Sequence, residues 1–253
     1  MQYLSSGLLF ILLWLQTLTG NLGWSIITFT ILIRSVLVPL TLPSLKATKK
    51  IQSLQPEIKQ LKQKHGKDAQ AFQKAQMDLY KKYNVNPLAG CIPQIAQLIV
   101  LIGLYQVLIQ FLGNPEINGQ VINTSFFWLD LAKPDTHYVL PVLSVVTQLI
   151  LSVMIVPGGE TPDLVPNKSK SKKVQEENKK EEDFAEMASS MQKQMLFIMP
   201  LMTGMVALRF PAGLALYWVI STLFSIVQQY YVSGWGGLTL YWSRLKKLVI
   251  KTA

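Results

Sequence analysis

A single arginine, Arg34, lies near the middle of an apolar run from Leu22 to Pro43. Roughly 20 such residues span the ~30 Å hydrocarbon core of a bilayer as a helix. An arginine at that depth costs about 2.5–3.5 kcal/mol on insertion scales, so its guanidinium needs water or a polar partner inside the protein. Helical spacing puts Thr30 and Thr41 on the same face as Arg34. The run therefore predicts a membrane span that presents a cation to the protein interior.

Polar side chains also recur along the other long apolar segments. Those at helical spacing are Gln94, Gln97, Ser144, Thr147, Thr203, Ser221 and Ser225. One interpretation is that these groups only join neighbouring helices, each contributing about 0.6 kcal/mol on average. No apolar segment contains an acidic residue that could pair with Arg34. Taken together, the arginine and these polar side chains instead predict a hydrated, positively charged cavity. A purely structural bond from Arg34 to backbone carbonyls is the alternative that the residues leave open.

The titratable residues exclude most enzyme chemistry inside the membrane. No apolar segment contains an Asp, Glu or Lys, His65 and His137 lie outside these segments or at an edge, and Cys91 is the only cysteine. An acid–base pair, a zinc site or a serine–histidine arrangement cannot be assembled from this set. Proton-coupled transport lacks its usual intramembrane carboxylate, and no glycine-rich phosphate loop is present. We therefore expect a protein that is not an enzyme and needs neither a metal nor another cofactor.

Long apolar blocks alternate with charged segments along the 253 residues, half of which are hydrophobic, and the net charge is +10. Uncharged blocks of about 18 residues or more are typical of membrane helices. In the charged segment 44–87, Ile51, Leu54, Ile58 and Leu61 repeat at the spacing of paired helices, which predicts a helical hairpin. Within it, Pro56 should interrupt the first helix because proline lacks a backbone N–H. Asp68 should cap the start of the second helix.

Composition predicts an all-α membrane protein with five transmembrane helices. The first segment, 1–20, is apolar with polar interruptions and is predicted to lie at the membrane interface as an amphipathic helix. The predicted transmembrane helices are 21–43, 88–112, 137–156, 195–209 and 210–232. The connecting segments are the hairpin 44–87, the extracytoplasmic loop 113–136 with its aromatic residues 126–128, the charged flexible loop 157–194 and the basic tail 233–253.

The distribution of lysine and arginine predicts the orientation of these helices. Segments 44–88, 157–194 and 233–253 hold 10, 7 and 4 of the 24 basic residues, whereas the opposite side has only Lys133 and Arg209. Basic connecting segments stay preferentially on the cytoplasmic side of a membrane. We therefore expect the N-terminus outside the cell and the C-terminus in the cytoplasm.

Six motifs, in this order along the chain, resemble those of the YidC family of membrane protein insertases. They are Ile31-Leu-Ile-Arg34-Ser-Val-Leu-Val-Pro39-Leu, Asn86-Pro-Leu-Ala-Gly-Cys91-Ile-Pro93 followed by Gln97, Phe127-Trp-Leu-Asp-Leu131, Tyr138-Val-Leu-Pro141, Phe210-Pro-Ala-Gly-Leu-Ala-Leu-Tyr-Trp218, and Gln228-Gln229. The resemblance runs from about residue 3 to residue 235. The charged loop 157–194 departs from the family pattern in its length and its charge.

The resemblance implies an insertase and chaperone of a bacterial plasma membrane, with a hydrophilic groove open to the cytoplasm and to lipid and closed on the outer side. It implies that the substrate-binding groove contains Arg34, Thr30, Gln97 and Trp218. From the polar spacing, Gln94, Thr147, Ser221 and Ser225 are further candidates for its lining. The implied substrates are nascent membrane proteins with short, often acidic, translocated tails, inserted by this protein alone or with the Sec translocon.

Other partners and a rival function also follow from the sequence. The resemblance implies that the cytoplasmic hairpin receives or recruits the substrate. The basic tail is expected to meet anionic lipid or, more weakly, the ribosome. No DNA partner is expected. The rival function is a small anion channel or transporter that uses Arg34 as its anion site. Such proteins usually have duplicated halves, and the chain has no internal repeat.

Overall fold

The computed structural model describes residues 2–65, 68–86, 92–113, 116–117, 120–155 and 198–239. The predicted loop 157–194 and the tail from residue 240 onward lie outside the described residues. The described helices are α1 Gln2–Thr19, α2 Leu22–Ser53, α3 Gln55–His65, α4 Ala69–Lys82, α5 Ile92–Gly113, α6 Val139–Ile155, α7 Ile198–Ala207 and α8 Ala212–Ser233. The strands are β1 Glu116–Ile117, β2 Gln120–Val121, β3 Ser125–Phe126 and β4 Leu129–Asp130. The predicted all-α class is confirmed, because these strands form only two small antiparallel hairpins.

Three of the described helices, α2, α5 and α8, are long and apolar enough to cross a membrane. They correspond to the predicted spans 21–43, 88–112 and 210–232. The apolar helices α6 and α7 correspond to the other two predicted spans but are shorter, since neither reaches 18 residues in the described part. The apolar part of α1, Ser6–Thr19, is also shorter than 18 residues.

The longest helix, α2, joins the membrane region to the hairpin without a break. It begins at an N-cap, where the side-chain oxygen of Asn21 accepts a hydrogen bond of 2.8 Å from the Gly23 N–H. Its 32 residues continue past the boundary at residue 43 that composition predicts. The helix ends at Ser53, and α3 begins at Gln55 beside Pro56, so the predicted interruption is confirmed.

The hairpin of α3 and α4 has its own small apolar cluster. The buried members are Leu54, Ile58, Leu79 and Val85. Asp68 caps α4 as predicted, because its carboxylate accepts a 3.0 Å hydrogen bond from the Ala71 N–H. The Tyr83 hydroxyl donates to the Glu57 carboxylate at 2.8 Å, and this bond raises the pKa of the phenol. The seam that the leucine and isoleucine spacing predicts is therefore confirmed.

The segment between α5 and α6 covers the start of α2. The Leu22 N–H donates to the Asn123 carbonyl at 3.3 Å, and the Asn21 side-chain amide donates to the Ser125 carbonyl at 2.6 Å. The first N–H groups of a helix have no partner within the helix. These two bonds therefore attach the β-hairpin segment to the helix that carries Arg34.

The same segment also covers the starts of α6 and α8. The N–H groups of Ala212 and Gly213 donate to the carbonyls of Lys133 and Leu131, at 2.8 and 2.9 Å. The buried carboxylate of Asp135 accepts two backbone N–H bonds at the start of α6, at 2.8 and 2.9 Å. We call residues 120–138 the cap segment, since they bind the first turns of three helices.

Helix α1 is apolar on two opposite faces. Leu8, Leu12 and Leu15 are buried in the main apolar cluster, whereas Phe10 and Trp14 are exposed on the other side. A helix that is apolar all round fits an environment with protein on one side and lipid on the other. Its predicted position at the membrane interface remains a prediction.

Candidate functional site

Arg34 stands at the meeting point of α2, α5 and α8. Only 8% of the residue is exposed. Its Nε–H donates to the Ser221 Oγ at 2.6 Å, and its Nη2 donates to the side-chain oxygen of Gln97. The Ser221 hydroxyl in turn donates to the same Gln97 oxygen at 2.8 Å. We call these three side chains the arginine layer, since each comes from a different helix and each contacts the other two.

The positive charge of the arginine layer has no counter-charge in the described part of the chain. No carboxylate among the described residues forms an ion pair with Arg34. An arginine stays charged in proteins and carries five N–H donors, of which Ser221 and Gln97 engage two. The layer thus holds a cation in place while leaving donors for another acceptor.

Tyr217 belongs beside this layer, and the sequence analysis did not include it. The residue is fully buried one helical turn before Ser221 and lies within electrostatic reach of Arg34. The signal that could have indicated it is the spacing of four residues, which puts Tyr217 and Ser221 on one face of α8.

Helices α2 and α8 run parallel along a polar seam that starts at the layer. Seven residues beyond Arg34 and Ser221, the Gln228 amide donates to the Thr41 hydroxyl at 3.4 Å. Because seven residues are close to two helical turns, the two pairs lie on the same face of each helix. The seam therefore continues from the layer toward the hairpin.

The arginine layer divides the interior into an apolar part and a polar part. On the side of the cap segment, the main apolar cluster contains Leu22, Ile26 and Phe29 of α2, Val100, Leu104, Val107 and Leu108 of α5, and Ala212, Leu214, Ala215, Leu216, Tyr217 and Val219 of α8. No member of this cluster from these three helices lies on the hairpin side of the layer. There the buried residues of α2 and α8 are Thr41, Ser44, Thr222 and Gln229.

Helix α6 shows a similar change along its length, with one apolar exception. Leu140, in its first turn, belongs to the apolar cluster, whereas Ser144, Thr147 and Ser152 are buried further along, together with Met154 in the last turn. Helix α6 packs along α8. The polar part of the interior is therefore bounded by side chains of α2, α6 and α8.

The other predicted site residues have different surroundings. Thr30 and Thr147 are buried, but their hydroxyls donate to carbonyls of their own helices, Ile26 at 2.6 Å and Leu143 at 2.8 Å. Ser225 likewise donates to the Ser221 carbonyl at 3.0 Å. The hydrogen bond that each of these three hydroxyls donates therefore stays within its own helix. That these residues line the groove stays a prediction.

Two further candidates lie at the edge of this region. Trp218 is half-buried on α8, three residues before Ser221. Gln94 is exposed on α5, three residues before Gln97, and does not belong to the arginine layer. Of the two glutamines that the sequence singles out on this helix, Gln97 alone contacts Arg34.

The described residues contain no group of three or more His, Cys, Asp or Glu side chains that could hold a metal ion. The polar groups of the layer and of the seam are amides, hydroxyls and one guanidinium. Such groups bind by hydrogen bonding and charge, and they do not form an acid–base pair. The arrangement suits reversible binding of a polar, preferably anionic, group.

Comparison with known proteins agrees with this architecture. The family model of the 60Kd inner membrane protein matches residues 14–243. The chain is 35% identical over 213 residues to the membrane protein insertase YidC of Fusobacterium nucleatum, covering 84% of this chain and 86% of that protein. It is 36% identical over 222 residues to the membrane protein insertase MisCA of Bacillus subtilis, covering 86% of this chain and 72% of that protein.

A solved structure shares the fold. The crystal structure of an active YidC insertase with its first transmembrane domain resolved superposes with a TM-score of 0.61 at 25% identity. The match covers 90% of this chain and 45% of that chain. The relatives are named as insertases, which confirms the prediction that this protein is not an enzyme. With its helices, its arginine layer and a family model that covers almost all of its length, the chain belongs to the YidC family of membrane protein insertases.

Proposed function

We propose that this protein inserts nascent membrane proteins into the lipid bilayer, and that a hydrophilic groove on the hairpin side of Arg34 receives the translocated tail of each substrate. The observation that carries the proposal is the change from mainly apolar to mainly polar buried residues at the arginine layer. The main apolar cluster lies on the side of the cap segment, whereas the buried residues of α2 and α8 on the hairpin side carry hydroxyls and amides. A polar segment of a substrate finds more hydrogen-bonding partners on the hairpin side than in the apolar cluster.

Arg34 attracts and holds an acidic tail. Its guanidinium has no counter-charge among the described residues, and electrostatic attraction is stronger in a partly dry environment than in water. Gln97 and Ser221 orient the guanidinium before a substrate arrives. A carboxylate of the tail then takes the remaining donors, and Trp218 contacts the apolar residues that follow the tail.

Burial of the apolar segment of the substrate in lipid supplies the free energy. Each square ångström of apolar surface that leaves water contributes about 25 cal/mol. A helix of about 20 residues is long enough to span the hydrocarbon core. Insertion by this route needs no nucleotide.

The orientation in the membrane follows from charge. The hairpin with its many lysines lies in the cytoplasm, and the cap segment lies outside, so the groove opens toward the cytoplasm and is closed on the outer side. The N-terminus is outside the cell. The protein works alone or with the Sec translocon, the basic tail contacts anionic lipid, and any contact with the ribosome is weak.

The test is insertion of a small single-span protein into liposomes that contain only this protein. Two substrates are compared, one with an acidic tail and one with a neutral tail, and protease protection of the tail measures insertion. Arg34→Ala should lower insertion of the acidic substrate roughly tenfold, equivalent to about 1.4 kcal/mol, and affect the neutral one much less. Arg209→Ala is the matched control, because Arg209 is exposed at the turn between α7 and α8.

Each outcome separates the candidate functions. Insertion that is equal for wild type and Arg34→Ala with both substrates would leave the insertase but make the arginine structural. No insertion by wild type, together with anion flux that Arg34→Ala abolishes, would establish the rival channel.

A further inference from the structure

Side chains of α2 cap the ends of α6 and α8 that lie nearest the hairpin. The Lys49 ammonium donates to the Val232 carbonyl, near the end of α8, at 2.7 Å. The Gln52 side-chain amide donates to the Met154 carbonyl at 3.3 Å and also to the Ile155 carbonyl. The last four carbonyls of a helix have no partner within the helix. Helix α2 therefore supplies a hydrogen bond to the C-terminal end of α8 and two hydrogen bonds to the last described carbonyls of α6.

The chemistry of each capping side chain matches the helix end that it contacts. A glutamine amide nitrogen carries two hydrogens, which suits the two consecutive carbonyls at the end of α6. A lysine near the end of α8 is favoured by the partial negative charge of a helix C-terminus. Both side chains lie on one face of α2, since residues three apart are neighbours on a helix.

Gly236, just after α8, contacts the same end of α6. Its φ is +50°, and a Cβ added there would lie 2.3 Å from the Met154 carbonyl oxygen. Gly234 has a similar φ of +67°, but a Cβ added there would meet no atom within 4 Å. The close approach to α6 is thus particular to Gly236. The Met154 carbonyl is approached both by Gln52 of α2 and by the chain that leaves α8.

We propose that Lys49, Gln52 and Gly236 form a clasp that positions the hairpin of α3 and α4 relative to α6 and α8. Helix α2 continues without a break to Ser53. Fixing the clasp residues therefore fixes the point at which the hairpin starts. These are positioning residues, since they act through the hairpin and not on the substrate.

The functional meaning of the clasp rests on the proposed function. The polar part of the interior lies between α2, α6 and α8, and the clasp joins the ends of these three helices. The clasp sets the distance between these three helices where the groove opens, and it holds the hairpin beside that opening. The positioning itself rests only on the hydrogen bonds and the close approach described above.

The test measures the position of the hairpin directly. Spin labels are attached to Met77→Cys on α4 and Val227→Cys on α8 in a Cys91→Ser background, because both labelled side chains are exposed. Distances between the labels are measured in lipid nanodiscs by pulsed electron paramagnetic resonance. The chain with an intact clasp should give one narrow distance distribution.

Breaking the clasp should broaden that distribution, and a matched variant should not. Gln52→Leu removes the donors, Gln52→Arg restores donors, and Gln63→Leu is the control because Gln63 is exposed on α3. Gly236→Ala should broaden the distribution, whereas Gly234→Ala introduces similar backbone strain without the clash. We expect insertion to fall several-fold in Gln52→Leu and Gly236→Ala and to recover in Gln52→Arg.

The distances between the labels test the clasp, and the insertion assay tests the proposed function. Unchanged distances in folded Gln52→Leu and Gly236→Ala proteins would overturn the clasp, even if wild type inserts its substrate. Broadened distances in a protein that never inserts a substrate would keep the clasp and reject the insertase. Equal broadening in Gly234→Ala and Gly236→Ala would assign the effect to backbone strain, and the clasp would be rejected.

Discussion

The Arg34 guanidinium and the Ser221 hydroxyl are joined by a hydrogen bond of 2.6 Å across α2 and α8. The two residues are 187 positions apart in the chain. Ser221 also donates to Gln97, so one hydroxyl connects the cation to a third helix. The bond lies at the level where the apolar cluster ends, which makes it the boundary between the two parts of the interior.

Ser221→Ala should weaken both stability and insertion. A hydrogen bond to a charged group contributes about 1.5–3 kcal/mol, and the loss also frees Gln97 from one of its partners. We expect a lower thermal unfolding temperature and several-fold less insertion of an acidic-tail substrate into liposomes. Ser225→Ala is the control, because among the described residues the Ser225 hydroxyl bonds only the backbone of its own helix. Equal effects of the two substitutions would contradict a special role for Ser221.

Arg34→Lys should insert acidic-tail substrates at a level between wild type and Arg34→Ala. The ammonium keeps the charge, but a point charge cannot reproduce the planar fork that reaches Ser221 and Gln97 together. Insertion is measured with tails that carry an increasing number of acidic residues. A lysine variant as inactive as the alanine variant would show that the geometry of the guanidinium matters more than its charge.

Gly23→Ala should loosen the cap segment from α2. An added Cβ would lie 2.2 Å from the ring of Phe126. Overpacking of this kind costs about 1–3 kcal/mol, and the ring must move to relieve it. We expect a lower unfolding temperature and faster proteolysis of the cap segment. Gly7→Ala on α1 should cause neither change, because nothing lies within 4 Å of the added atom.

The stability of the cap segment should depend on pH through Asp130. Burial alone would raise the pKa of Asp130, but hydrogen bonds from Lys133 at 2.9 Å, from the Ala132 N–H at 3.1 Å and from Thr124 hold it below its ordinary value. A carboxyl whose pKa is lowered by folding stabilises the protein above its ordinary pKa of about 3.9 and loses that contribution as pH falls through the folded value.

Thermal unfolding between pH 5 and pH 3 measures this contribution. Asp130→Asn should make the unfolding temperature depend less on pH in that window and should lower the unfolding temperature at pH 5. Asp78→Asn, at an exposed position on α4, is the control. An identical pH profile for wild type and Asp130→Asn would show that the contacts of Asp130 add nothing to stability.

Local patterns in the sequence determined the helices and the place of the charge. The leucine and isoleucine spacing, Pro56 and Asp68 predict the hairpin, its interruption and its cap, because each depends on residues within one or two helical turns. A lone arginine in an apolar run likewise requires a polar site, because its desolvation cost depends only on the membrane depth of its own helix.

The tertiary structure decided which side chains meet. Spacing alone makes both Gln94 and Gln97 candidates to approach Arg34 from α5, and only the family resemblance favours Gln97, which is the one that contacts it. The sequence also did not predict that Tyr217 lies beside the arginine layer, that the apolar cluster lies on one side of Arg34, or that Gln52 bonds the end of α6. Each depends on the register and rotation of helices far apart in the chain. These are set by packing between whole helix faces, and no local pattern encodes them.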